Sequence, residues 1–223
     1  MPRLLVRRRA ARAARIPHRY RPACGGGQAK VLTAAEITRV DKCLTGTRNE
    51  HRNRALFFLQ LATGIRVGEL AALNVGDVLE NGALRRRFHL PRVRRSRGQP
   101  RVVYFENERA RAVLQSYLRN RRPNLDFGPE DPLFTGQKPD HDGNFRLTAN
   151  TLAHLFCKLY RNAGIVGASS DSGRRWFLGQ LARAGIRDEI IRNLAGHAHV
   201  STTRRYLDRV SADQQCAVRA VEF

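Results

Sequence analysis

Lysine and negative charge are both scarce in this sequence. Only Lys30, Lys42, Lys138 and Lys158 occur, and 19 acidic residues face 41 basic ones in 223, so the formal net charge is +22 and the cations are overwhelmingly arginine. Such an excess suits a protein that meets a polyanion, most simply nucleic acid. Cysteine is limited to Cys24, Cys43, Cys157 and Cys216, with no CxxC pair and no histidine at ligand spacing. That pattern argues against zinc or a disulfide framework and for thiols in a reducing compartment. No metal and no cofactor is expected. No apolar run approaches a membrane span and no signal-peptide core stands at the N-terminus, so no membrane partner is expected. With 42% hydrophobic residues the chain still has enough apolar mass for one core.

Residues 1–30 are expected to form a basic arm, with no acid before Glu36 and a Gly25-Gly26-Gly27 joint near its end. Residues 31–223 are expected to form one domain. Thr33-Ala-Ala-Glu36 is a capping box that opens a helix. A second helix runs from Asn49 to Thr63 on a Leu56, Leu59, Ala62 stripe and stops at Gly64. A short helix over Val67 to Leu73 ends at Asn74-Val75-Gly76-Asp77. Residues 83–105 read as a β-hairpin whose arginines Arg85, Arg86, Arg87, Arg92, Arg94, Arg95, Arg97 and Arg101 have no acid among them. Like charges so close repel one another, which favours a polyanion partner. Helices then follow over 107–121, 148–163, 172–184 and 188–195. Ser201 is expected to cap the next helix, and Ser211-Ala-Asp-Gln214 to open a last one. Asp171 is placed to N-cap the helix that starts at Ser172. The fold class is therefore mainly α with a small antiparallel β-sheet (α+β).

Four segments carry the chemistry: Ala62-Thr63-Gly64-Ile65-Arg66-Val67-Gly68-Glu69-Leu70, Ser172-Gly173-Arg174-Arg175-Trp176-Phe177, Leu194-Ala195-Gly196-His197, and Ser201-Thr202-Thr203-Arg204-Arg205-Tyr206. In that order they resemble the tyrosine recombinases, the phage-integrase family, from about residue 33 to the C-terminus. The resemblance implies that family's catalytic-domain fold, duplex DNA as partner, and a role in DNA recombination or integration by a mobile element. It implies strand breakage and rejoining through a 3′-phosphotyrosyl intermediate, with no metal and no ATP. Arg66 and Arg174 match the phosphate-binding arginines, Tyr206 the nucleophile, and His197 the histidine beside the phosphate, while Glu69 looks like the residue that orients Arg66. Paired guanidinium donors suit a phosphoryl centre that gains negative charge during attack.

Two positions depart from the family's pattern. Its hairpin lysine falls at Ser96, where Arg95 and Arg97 are the substitute cations, and the histidine three residues before its second arginine falls at Asp171. DNA contacts are expected from Arg85, Arg86, Arg87, Arg92, Arg94, Arg101, Arg175, Arg204 and Arg205. The resemblance further implies self-association on DNA through the C-terminal helix and a prokaryotic cytoplasmic, nucleoid-associated location. Only the arm precedes Thr33, so the separate helical DNA-binding domain of many members is expected to be missing. The rival readings are a catalytically weakened or inactive DNA-binding relative with an accessory or regulatory role, and a general basic nucleic-acid-binding protein.

Overall fold

The computed structural model describes residues 28–90, 101–121, 127–137 and 145–204. The arm, the hairpin tip with Arg92, Arg94, Arg95, Ser96 and Arg97, and all residues from Arg205 on lie outside the described residues. Tyr206 and the helix expected from Ser211 are among the latter.

Helix α1 (Ala34–Leu44) begins at the expected capping box. The Glu36 N–H donates to Thr33 Oγ1 at 3.2 Å, and the Thr33 N–H donates to the Glu36 carboxylate at 2.9 Å. Helix α2 (Glu50–Thr63) is more deeply placed than a one-sided stripe implies: every residue from Ala55 to Leu61 is buried. A helix covered all round is an interior element. Around it pack α5 (Glu108–Asn120) and α7 (Ser172–Arg183). Phe57 meets Tyr160 of α6 (Ala149–Asn162) edge to face, with ring centroids 6.2 Å apart.

Helix α3 (Val67–Ala72) ends within a residue of expectation, but Asn74 does not begin a loop. It starts another turn, α4 (Val75–Val78), with its N–H donating to Asp77 at 2.8 Å. The expected single sheet is two antiparallel ladders. Strands β1 (Leu79–Glu80) and β2 (Ala83–Leu84) turn through Asn81-Gly82, both at positive φ. Asn-Gly is a strong two-residue hairpin signal. Strands β3 (Arg87–Leu90) and β4 (Arg101–Tyr104) pair with Phe88 opposite Val103 and Leu90 opposite Arg101.

Leu133 and Phe134, in the loop before α6, plug the core, and Phe134 stacks on Tyr117 at 5.4 Å. A smaller cluster of Leu178, Ile191 and Ala195 joins α7 to α8 (Asp188–Ala195). The chain is helical again over 200–204, so Ser201 lies inside that turn and is not its cap. Asp171 occupies the N-cap position of α7, but its side chain is exposed and makes no capping hydrogen bond. The helix start is held instead by Ser172 Oγ, which accepts the Ser169 N–H at 2.9 Å. The described residues are mainly helical, as the sequence predicts, and none of their helices is long and apolar enough to cross a membrane.

Candidate active site: two arginines on one turn

The site is built where the end of α2 touches the start of α7. Gly64 ends α2 at φ +64, and a Cβ there would stand 2.5 Å from Phe177 Cδ1. A side chain would therefore be strained by its backbone and would push α7 away. Gly173 makes the reciprocal approach, since its Cβ would meet Gln60 Oε1 at 2.5 Å. These two glycines bring the segments bearing Arg66 and Arg174 together.

Arg174 sits on the first turn of α7 and is 1% exposed. Its Nη1 donates to the Gly64 carbonyl at 2.6 Å, and its Nη2 donates to the Ala195 carbonyl at 2.6 Å and to His197 Nε2 at 2.8 Å. Arg66, with 27% of its side chain exposed, reaches Glu69 at 3.1 Å and the Gly196 carbonyl at a long 3.5 Å. Residues 195–197 thus receive both arginines. Helix α8 ends there because Gly196 is left-handed (φ 63) and the His197 N–H turns back to Arg192 at 3.1 Å.

The histidine tautomer follows from its partners. A guanidinium can only donate, so His197 Nε2 must be the acceptor and Nδ1 must carry the proton. That proton is donated to Thr203 Oγ1 at 2.9 Å. Burial, then the charges of Arg174, Arg66 and Arg101, push the His197 pKa down to about 3, against an opposing contribution from Glu69. The imidazole is therefore neutral at pH 7.

Glu69 is the shared anion. Its carboxylate accepts the Arg66 backbone N–H at 2.8 Å, and Arg101 Nη1 and Nη2 at 2.6 and 2.9 Å. Burial raises its pKa, but the bonds and charges of Arg101 and Arg66 outweigh burial and hold it below the usual carboxylate value.

Arg101 was expected to face DNA; it is instead buried against Glu69. The signal was present in the alternation of β4, where Arg101 shares the inward face with Val103. Arg175, also expected on DNA, is 4% exposed, and both its Nη atoms donate to Gln28 Oε1 at 3.0 Å. The hairpin arginines are less uncompensated than the sequence window suggests. Arg85 pairs with Glu80 at 3.4 Å, and Arg86 with Glu106 and Glu108 at 2.7 and 3.1 Å. Arg87 is exposed on β3, and Arg204 pairs with Asp188 at 3.4 Å on the surface. Thr203 also belongs to the site, and nothing local in the sequence distinguishes it from Thr202.

A cleft of about 440 Å³ opens beside His197, between β4 and the end of α8, lined by Arg101, Tyr104, Arg192 and Gly196 among others. Among the described residues no His, Cys, Asp and Glu side chains cluster to hold a metal ion.

The chain is 30% identical over 165 residues to the tyrosine recombinase XerD of Neisseria meningitidis serogroup B, a match covering 73% of this chain and 52% of that protein. It is 29% identical over 157 residues to XerC of Lactobacillus delbrueckii subsp. bulgaricus, covering 70% and 50%. The chain therefore spans about half the length of these curated relatives. The fold matches the crystal structure of XerA recombinase with a TM-score of 0.66 at 23% identity, covering 88% of this chain and 67% of that one. It also matches XerH bound to palindromic difH substrate, with a TM-score of 0.62 at 21% identity, covering 89% and 55%. The model of the phage integrase family matches residues 30–212, and the chain belongs to that family, the tyrosine recombinases.

Proposed function

We propose that this domain binds duplex DNA and breaks and rejoins its strands through a 3′-phosphotyrosyl bond on Tyr206. The observation that carries the reading is the convergence of Arg66 and Arg174 on residues 195–197, which include His197. Arg66, Arg101 and Arg174 against Glu69 leave these groups with two positive charges in excess. That excess suits a phosphodiester that becomes a more highly charged phosphorane in the transition state. Arg66, the more open of the two arginines, meets the phosphate first, and Arg174 supports it from behind. Tyr206 gives up its phenolic proton and attacks the phosphorus, the 3′-phosphotyrosyl bond forms as the bond from phosphorus to the 5′-oxygen breaks, and the 5′-oxygen takes up one proton, so the net proton count is unchanged. Religation reverses these steps and needs no external energy source. DNA-bound relatives of similar fold, such as the Tn1549 transposon integrase in complex with transposon right end DNA, support duplex DNA as the partner.

Surface contacts to DNA fall to Arg85, Arg86, Arg87, Arg204 and Arg205 and to the hairpin-tip arginines, and the C-terminal helix is the element for self-association on DNA. Incubation with a nicked suicide duplex tests the reading. A covalent protein–DNA adduct is expected, and duplex binding with no adduct under any condition contradicts strand cleavage.

Ser96 and Asp171 favour a second reading, a DNA-binding relative that has lost cleavage. With no lysine between Lys42 and Lys138, the leaving oxygen must take its proton from another donor, and arginine, with a pKa above about 12, gives up a proton poorly. Binding without an adduct is the outcome this reading predicts.

A further inference from the structure

Thr203 is fully buried, and its hydroxyl is bonded to His197 Nδ1 at 2.9 Å. It stands on the helical turn 200–204, three residues before Tyr206 in the chain. His197 in turn is bonded through Nε2 to Arg174 at 2.8 Å. One imidazole therefore links the turn 200–204 with the buried arginine. We propose that Thr203 is a positioning residue for strand cleavage: its Oγ1 accepts the Nδ1 proton of His197 and so fixes the ring between the turn 200–204 and Arg174.

The chemistry requires such an acceptor. With Nε2 committed to a guanidinium donor, the ring proton sits on Nδ1 in a site where His197 is only 7% exposed. A buried N–H left without an acceptor carries a desolvation penalty. A hydroxyl supplies the acceptor in this geometry, and it can reverse its role to donate if a bound phosphate draws Arg174 away and the ring changes tautomer. Valine has nearly the same shape as threonine but can do neither.

The catalytic part of this inference rests on the strand-cleavage reading, so its test has one measurement that does not. In DNA-free wild-type protein, the proton on His197 Nδ1 should appear by NMR as a protected, slowly exchanging resonance. Thr203→Val should lose that protection and slow adduct formation on a nicked suicide duplex by about 10- to 100-fold, the size expected when a buried N–H loses its partner. Its affinity for duplex DNA should stay within about two-fold of wild type. Thr203→Ser keeps the oxygen and should recover most of both properties. A wild-type proton found on Nε2, protection that survives in Thr203→Val, or equal losses in the Val and Ser variants overturns the proposal. A wild type that forms no adduct overturns only the strand-cleavage reading, and the proton resonance then decides whether Thr203 holds the ring.

Discussion

Arg101 meets Glu69 through two parallel N–H···O contacts, 2.6 and 2.9 Å long, between side chains that are each 5% exposed. The same carboxylate holds the backbone and side chain of Arg66. Strand β4 and the loop bearing Arg66 are therefore anchored to one anion. Replacing Arg101 with Met leaves a buried carboxylate with one cation fewer and should cost about 3 kcal/mol, the lower end for breaking a buried pair, because Arg66 remains. Urea unfolding measures this; a loss under about 0.5 kcal/mol, typical of an exposed pair, would contradict the anchoring role.

Gly64→Ala should be destabilising for two separable reasons. The left-handed backbone at φ +64 costs about 1–2 kcal/mol for a residue with a side chain. The added methyl also collides with Phe177. Shortening the ring in Gly64→Ala/Phe177→Leu should recover part of the loss, so the double variant is less destabilised than the two single losses added together. Strict additivity in thermal or urea unfolding would show that α7 does not press on this glycine.

The neutral state of His197 makes stability depend on pH. Its folded pKa is pushed down to about 3, whereas the unfolded value lies near 6.5. Below about pH 6.5 the unfolded chain takes up a proton that the folded chain refuses, so stability falls as pH drops from about 6.5 toward 3. The slope is at most about 1.4 kcal/mol per pH unit. His197→Asn cannot titrate, so the stability gap between wild type and this variant should shift in the variant's favour by about 2 kcal/mol between pH 7 and 5. A gap that does not change with pH would mean that the imidazole is charged or exposed.

The arginines divide into those that stand open on the surface and those that are buried in the fold. Arg87 is exposed on β3, whereas Arg175 is buried on Gln28. Arg87→Ala should reduce the salt slope of duplex binding by about one. Arg175→Gln should leave that slope unchanged while lowering stability. The reverse pattern would mean that the basic hairpin is not a DNA-facing surface.

Local chemistry was legible in the sequence. Thr33 with Glu36, Asn107, Thr148 and Gly64 mark element ends through contacts made within a few residues, and the structure places those ends within a residue of expectation. The rest depends on which of several candidate partners a side chain takes up in the folded chain. Glu69 lies 32 residues from Arg101, so an arginine that reads as a DNA contact is in fact a buried ion-pair partner. The acids that partner Arg85 and Arg86 fall just outside the 83–105 window, at Glu80, Glu106 and Glu108. Asp171 has a helix-capping side chain at the right position, but Ser172 holds the loop before it. The β1–β2 turn is a different kind of miss, because its Asn81-Gly82 signal was there to be read.

On the strand-cleavage reading, the departures at Ser96 and Asp171 should slow the reaction. Ser96→Lys supplies a proton donor for the leaving 5′-oxygen and should accelerate adduct formation, with a ceiling of roughly 10²- to 10⁴-fold for general acid catalysis. Asp171→His removes an exposed carboxylate from the start of the helix carrying Arg174 and should add to the gain. A wild type that forms the adduct fast, with no gain from Ser96→Lys, would mean that Arg95, Arg97 or water already protonates the leaving group, and no adduct even with both substitutions together would favour the relative that has lost cleavage.

The attack by Tyr206 is tested most directly by mapping the adduct. After reaction with a nicked suicide duplex, proteolysis and mass spectrometry should place the nucleotide on Tyr206. Tyr206→Phe should bind the duplex with nearly unchanged affinity and form no adduct. An adduct on another residue, or one that persists in Tyr206→Phe, would contradict the assignment of Tyr206 as nucleophile.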